Sequence, residues 1–316
     1  MRNRVLVITQ TKNRQICGSS TGELVSEGMD RGFEIWITDP LDVSKRAGFP
    51  VGAICNCVNF TTRATLVTKH HCELGKSQYC YIKDFDILLM RVQPPMNSAY
   101  YALCGLLLEL PKEILKINDP KGILTIQEKL MPLEFADIHP LTLISQNYQQ
   151  IIDFIKETKD AVVKPINEYQ GNGVSKVTVE NASEVISSLF ESQNMPLIIQ
   201  KFIPGVYLGD KRVFLLDGVP IAAINRIPQE GNFIASLHKG GAFELVDITE
   251  KDCYIAEKIA PKLKENGLVF VGLDVISGFL TEIGTTSPTG MIQHRTLAGW
   301  SVAEKFWDWI CRHTPY

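Results

Sequence analysis

Leu268 to Pro288 reads LVFVGLDVISGFLTEIGTTSP, and its two acids decide how the rest of the chain is read. Leu268–Ile276 is an apolar run, rich in valine, broken by one acid, Asp274. Ser277-Gly278 interrupts it, and Phe279–Ile283 resumes it with a second acid, Glu282. The pattern predicts a β-hairpin whose register turns on the connection. With three connecting residues, Ser277 to Phe279, Asp274 lies opposite Glu282 on one face. With two, the acids point to opposite faces. Like charges side by side in an apolar hairpin repel one another. A divalent cation relieves that repulsion, and hard cations take oxygen ligands, so the stretch reads as a magnesium site. The plainer reading is an exposed hairpin with two solvated acids.

A chain of 316 residues is long for one core and comfortable for two or three subdomains. Apolar residues make up 45% and charged residues 21%, which places it among ordinary globular proteins. A net charge of −3 without blocks of like charge argues against nucleic acid or an anionic membrane as a partner. The eight cysteines contain no C-x-x-C pair, and Cys55-x-Cys57 is too short for a zinc knuckle. His70, His71 and Cys72 near Cys80 match no standard metal module. Reduced thiols in a cytoplasmic protein are the expectation. No signal peptide and no apolar run of membrane-spanning length is found.

Taken in order, Arg4–Thr9 (RVLVIT), a helix capped at Ser19 to Thr21 and ending at Gly32, and Phe33–Thr38 (FEIWIT) set a βαβ rhythm. Asp39 to Tyr79 reads as irregular with one hairpin. Phe85–Met90 is a buried strand with Arg91 beyond its carboxyl end, where open α/β sheets bind ligands, so Arg91 is a candidate anion contact or else a surface arginine packing on Pro94 and Pro95. A composition shift follows Pro120. Thr125–Met131 is expected to be a short helix carrying Lys129, and Ala161–Lys164 a strand ending in Lys164. The loop Asn167 to Val174 holds Gly171 and Gly173, which let backbone amides approach a phosphate. No Walker lysine follows, so this is not a P-loop. Leu197–Ile203 (LIIQKFI) runs from a strand into a linker able to read an adenine edge. Asp210, Lys211 and Arg212 stand at the mouth of the next strand, and Arg226 ends the one after it. Two acids, two lysines, a glycine cradle and two arginines together suit a triphosphate: cations neutralise it, magnesium bridges its oxygens, and a cover excludes water.

With these residues in view, the chain resembles the ATP-grasp superfamily, and closely the bacterial glutathione synthetases. The matching stretches are SST…RGFE, DFDILLMRVQPP, EKL at Glu128–Leu130, VVKP, GDKRVFLLDG, INRIPQ, LKENGLVFVGLDVI and LTEIGTTSPTG, in order over most of the chain. The resemblance implies an α/β fold with a Rossmann-like pre-ATP-grasp domain (1–121), an ATP-grasp lid subdomain (122–203) and a C-terminal ATP-grasp subdomain (204–316). It implies an ATP-dependent carboxylate–amine ligase. ATP phosphorylates a carboxylate, an amine attacks the acyl phosphate, and in the synthetases the pair is γ-glutamylcysteine and glycine. ATP and Mg²⁺ are the implied cofactors, small molecules the partners, and a homodimer or homotetramer the implied assembly.

By the same resemblance Lys129 and Lys164 hold phosphates, while Gln200, Lys201, Phe202 and Ile203 form the adenine linker and Asp210 meets the ribose. Gly171 and Gly173 belong to the loop over the nucleotide. Arg212 and Arg226 meet the triphosphate, the acyl phosphate or the acid. Asp274 and Glu282 ligate magnesium, and Ser287, Pro288, Thr289 and Gly290 line the acceptor pocket, with Arg91 toward substrate. Three departures bear on this. The asparagine usual two residues after the metal-binding glutamate is Gly284. The segment R-G-N-L reads Ile234-Ala235-Ser236-Leu237. The loop YQGNGV differs from D-G-x-G-G and, with LHKGG, resembles the glutamate ligases that extend protein or cofactor tails. Those ligases, or a nucleotide-binding pseudoenzyme, are the alternatives.

Overall fold

The structure, a computed structural model, describes residues 3–11, 16–62, 71–166, 171–192, 195–235 and 241–314. Its first elements follow the sequence pattern. Arg4–Ile8 is β1, Ser20–Asp30 is α1 and Glu34–Thr38 is β2, and β1 pairs parallel with β2 from Arg4↔Glu34 to Ile8↔Thr38. Ser19 caps α1 by accepting from the amide of Gly22, which satisfies a donor that a helix start leaves open.

The region read as irregular is more ordered than its sequence shows. It makes β3 (Val43–Ser44) and an antiparallel hairpin of β4 (Gly52–Thr62) and β5 (His71–Tyr81), eleven residues a strand. Asparagine, glutamine and cysteine interrupt the alternation there, and two register shifts break it further. After them come β6 (Ile87–Met90), α2 (Ser98–Leu107) and β7 (Leu115–Ile117). The first sheet runs β3-β4-β2-β1-β6-β7, with β5 also paired to β4.

The helix expected at Thr125–Met131 lies earlier, as α3 (Pro120–Thr125). Asp119 caps it and Pro120 takes its first position, where a missing amide does no harm. Lys129 therefore stands in a turn ahead of a 3₁₀ segment, Met131–Glu134, and not on a helix.

A second sheet is built from β8 (Thr142–Ser145), β9 (Asp160–Pro165), β10 (Ser175–Thr178) and β11 (Leu197–Lys201), in the order β10-β9-β11-β8, with α4 (Tyr148–Thr158) and α5 (Ala182–Ser192) between its strands in sequence. Ala161, Val163, Val177, Leu197 and Ile199 bury one face against Ile151, Ile155 and Ile186 of these helices. By the two-residue period of a strand, Thr142, Val162, Lys164, Ile198 and Gln200 take the opposite face.

The third sheet, β14-β13-β12-β15-β16, contains β12 (Asp210–Leu216), β13 (Val219–Ile227), β14 (Ala242–Leu245), β15 (Phe270–Ile276) and β16 (Phe279–Gly284). Helix α6 (Glu250–Glu265) precedes β15, while α7 (Met291–Ala298) and α8 (Val302–His313) close the chain. Val213, Leu215, Val271 and Leu273 share one core with Leu6, Ile8 and Leu88 of the first sheet. Phe214, Ile224 and Phe270 share another with Val5, Val7 and Ile35. The first and third sheets thus form one body, and the second has its own core.

The connection in the acidic hairpin is the two-residue one. Ser277 and Gly278 have φ of +49° and +76°, the positive pair that a type I′ turn requires. Ile276 opposes Phe279 and Val275 opposes Leu280, a register that by itself would turn Glu282 away from Asp274. A bulge then shifts the pairing, leaving Thr281 as the extra residue, and Asp274 opposes Glu282 after all. The expected pairing stands, and its cause is the bulge rather than a three-residue connection.

Candidate active site

One face of the third sheet carries its charge in registered pairs: Asp210↔Arg226, Arg212↔Asp274 and Asp274↔Glu282. Arg212 grips Asp274 with two nitrogens, Nε to Oδ1 at 2.6 Å and Nη2 to Oδ2 at 3.2 Å. Arg226 Nη2 lies 3.0 Å from Asp274 Oδ2 and 2.7 Å from Asp210 Oδ2. Burial would raise the Asp274 carboxyl, but the two guanidiniums hold it down to about 2. Burial dominates at Asp210 and, with Asp274 nearby and Arg226 opposing it, pushes the carboxyl up to about 6. Asp210 Oδ1 is buried without a hydrogen-bond partner among the described residues.

Across a cavity of about 450 Å³ stand the cations, Lys164 from the second sheet and Lys129 from the turn before the 3₁₀ segment. Lys164 Nζ donates to Gln200 Oε1 at 2.8 Å, and Lys129 Nζ to the carbonyl of Ile166 at 3.5 Å. Burial lowers the Lys164 ammonium, and Glu282 opposes that change. Gln200, read as part of an adenine linker, has its side chain on this lysine. Phe202 belongs to a small apolar cluster with Val162, Val206, Val174, Phe233 and Ile276, which suits a flat ring. Lys201 is exposed, and Ile203 follows on the cavity wall.

Gly171 and Gly173 have φ of +74° and +65°. A Cβ on Gly171 would fall 2.5 Å from Ile234 Cγ2, and one on Gly173 2.7 Å from Pro165 Cγ, so both glycines are required where they stand. The remainder of these two loops, residues 167–170 and 236–240, lies outside the described residues, and with it the reading of Ser236, Leu237 and LHKGG.

Arg91 is buried, donating from Nε to Thr21 Oγ1 at 3.3 Å and from Nη2 to the carbonyl of Pro288 at 2.8 Å. It braces the segment Ser287 to Gly290, where Gln93 Nε2 also donates to Ser287 Oγ at 2.8 Å and Arg212 Nη1 to the Thr289 carbonyl at 3.2 Å. Apart from Arg91, Gly173 and Lys211, which pairs instead with Asp252 at 2.8 Å, the described residues read from the sequence as binding phosphate, nucleotide, metal or substrate line this cavity.

Two residues that sequence reasoning passed over belong to this site. Glu128 Oε1 accepts from the amides of Thr285, at 2.6 Å, and Thr286, at 3.0 Å, fixing the end of the acidic hairpin. Burial and then Glu282 raise its carboxyl. Its one sequence signal was its place beside Lys129. His139 is buried behind Gln200 and gave no signal. Among the described residues no three His, Cys, Asp or Glu side chains cluster to hold a metal. Asp274 and Glu282 stand opposite each other on the cavity wall, a pair of carboxylates that could receive a cation. At Gly284 a Cβ would meet only the Gly272 carbonyl oxygen, at 3.5 Å, leaving open space where a third ligand could project.

Solved structures share this fold. A D-cycloserine synthetase, DcsG, superposes with a TM-score of 0.66 at 14% identity over 98% of this chain and 99% of that one. The ATP-grasp ligase PsnB superposes with a TM-score of 0.64 at 14% identity over the whole of both chains. This is the ATP-grasp fold, and with the family match given next it defines an ATP-dependent C–N ligase.

The family model for the prokaryotic glutathione synthetase ATP-grasp domain matches residues 128–298, and that for the N-terminal domain residues 3–123. The glutathione synthetase of Synechococcus elongatus is 34% identical over 90% of this chain and 91% of its own. That of Agrobacterium fabrum is 32% identical over 98% and 96%. The chain belongs to the prokaryotic glutathione synthetase family.

Proposed function

We propose that the chain joins γ-glutamylcysteine to glycine with ATP, through an acyl phosphate. The observation that carries this reading is the ladder Asp210–Arg226–Asp274–Arg212 facing Lys164 and Lys129 across one cavity. Such an array neutralises a polyphosphate and holds the charge that develops as a phosphoryl group moves to a carboxylate. In this reading Lys129 and Lys164 hold the phosphates, and the apolar cluster around Phe202 takes the adenine. Arg212 and Arg226 orient the transferring group and the acid. The segment Ser287 to Gly290, braced by Arg91, shapes the acceptor pocket. The three-way division at 121/122 and 203/204 belongs to the same reading, and the confinement of each sheet to one segment supports it.

Asp274 and Glu282 would hold magnesium. The donor set fits a hard cation, being two carboxylates in register, one kept ionised by two guanidiniums. When bound, the ion would offset phosphate charge. Arg212 and Arg226 hold Asp274 from the cavity wall, where their guanidiniums are placed to meet substrate oxygens.

Ile234, packed on Gly171 where the resemblance expects an arginine, supports a second reading in which the acid or the amine differs. Phosphate release from MgATP, measured with γ-glutamylcysteine and with or without glycine, separates the two. Release that needs both substrates and vanishes in Asp274→Ala supports the first. Release only with glutamate or a peptide acceptor supports the second, and no release with any acceptor, despite ATP binding, defeats both.

A further inference from the structure

We propose that His139 is a positioning residue for the phosphate-binding Lys164, acting through Gln200. The inference rests on the reading of the chain as an ATP-dependent ligase and goes beyond it by naming what holds the lysine in place. An ammonium can only donate, so with Lys164 Nζ 2.8 Å away Gln200 must present its carbonyl oxygen. Its amide nitrogen then points to the other side, 3.2 Å from Thr142 Oγ1 and 3.4 Å from His139 Nε2. The second ring nitrogen, His139 Nδ1, lies 2.6 Å from the carbonyl oxygen of Leu280, which can only accept. Nδ1 therefore carries the hydrogen and Nε2 is bare, ready to accept from Gln200. Donation runs one way, from Lys164 to Gln200 to His139 to Leu280.

Each link is set by sheet geometry. Gln200 opposes Thr142 on β8 and Val162 on β9, which places Lys164 diagonally beside it on one face. Leu280 stands on β16, so the chain of bonds reaches from the second sheet to the acidic hairpin of the third. His139 and Gln200 are 6% and 4% exposed, so water does not substitute for either partner. Burial and the Lys164 charge both keep the imidazole neutral, against the Leu280 carbonyl. Without the bare Nε2, the glutamine amide keeps only Thr142 Oγ1, which itself lies 3.2 Å from the same ring nitrogen, and the end that faces the lysine is held less firmly.

The test is titration of MgATP into the wild type, His139→Phe and the double variant His139→Phe/Gln200→Glu, each with its melting temperature. Phenylalanine fills the ring's space without an acceptor. A glutamate at 200 accepts from Lys164 with either oxygen and needs no orienting partner. The expectation is binding by the wild type, a loss of about tenfold in His139→Phe, and recovery to within about threefold in the double variant. If the phenylalanine variant does not fold, His139→Leu takes its place, alone and with Gln200→Glu, with the same expected loss and recovery. Unchanged affinity in a folded His139 variant, or a loss that Gln200→Glu does not recover, would overturn the proposal while leaving the ligase reading intact. A wild type that fails to bind MgATP overturns both.

Discussion

Asp210 and Asp274 share one guanidinium, Arg226, yet are driven to opposite ends of the carboxylate range. Asp274 has a second arginine, whereas Asp210 keeps one buried oxygen unpartnered. The linkage has opposite signs for the two. The Asp210 carboxyl is raised from 3.8 to about 6, so its favourable contribution is complete below 3.8 and lost as pH rises through about 6. The Asp274 carboxyl is lowered from 3.8 to about 2, so its contribution is present above 3.8 and lost as pH falls through about 2. Between pH 7 and 5 the free protein should therefore gain melting temperature from Asp210, and Asp210→Asn should flatten that rise. Equal pH slopes in the two proteins would refute it. A second residue-scale prediction concerns Gly284, whose backbone is ordinary and whose Cβ position is open. Gly284→Asn should leave the melting temperature unchanged and lower the magnesium concentration for half-maximal turnover several-fold; an unchanged magnesium requirement counts against open ligand space there. At this scale the acids and lysines were legible because charge inside apolar strands is costly and stands out. Glu128 and His139 were not, since their partners lie 157 and 141 residues away.

At the scale of elements, sequence patterns located most strands and helices but not the way two of them are joined. The hairpin is the clearest case. Ser277-Gly278 announces a tight turn, and the alternation of Phe279 to Ile283 announces a strand. Nothing in five residues announces that Thr281 will bulge and so bring Glu282 opposite Asp274. Thr281 Oγ1 bonds the Asp274 carbonyl at 3.1 Å, a contact that exists only once the strands have paired. Helix α7 was missed for a related reason. It begins at Gly290 in a left-handed conformation, with no side-chain cap to mark it. A prediction follows from Gly28, in the last turn of α1. Alanine there would gain helix propensity of up to about 1 kcal/mol. However, its Cβ would fall 2.2 Å from the buried ring of Trp307 on α8, whose Nε1 is bonded to the Leu24 carbonyl at 2.7 Å. Overpacking of this kind costs about 1–3 kcal/mol. Gly28→Ala should thus lower the denaturant midpoint, with the slope unchanged, and a rise in midpoint would show that propensity wins.

At the scale of the whole molecule, the cores divide the chain differently from its order. Residues of the first and third sheets interleave in two clusters, while the second sheet, with α4 and α5, buries its apolar face in a cluster of its own. The composition shift near Pro120 marks where the second unit approaches, but the return of the third segment to the first depends on pairings no local pattern encodes. The second unit meets the larger body through the small Phe202 cluster, the Gly171–Ile234 contact and the polar chain from Lys164 to Leu280. Units with separate cores open separately when their interface is small. Amides of β9 and β11 should exchange faster than those of β1 and β15 in the free protein. A ligand bridging the cavity stabilises the joined state by mass action, about 2.7 kcal/mol at a hundred times its dissociation constant. MgATP should therefore slow exchange in β9 and β11 while β1 and β15, already limited by opening of the larger body, change little. Equal protection across all four strands before ligand is added would mean that the three sheets unfold as one unit. Lysines and acids would then meet in a rigid cleft, and substrate would have to enter without the second sheet moving.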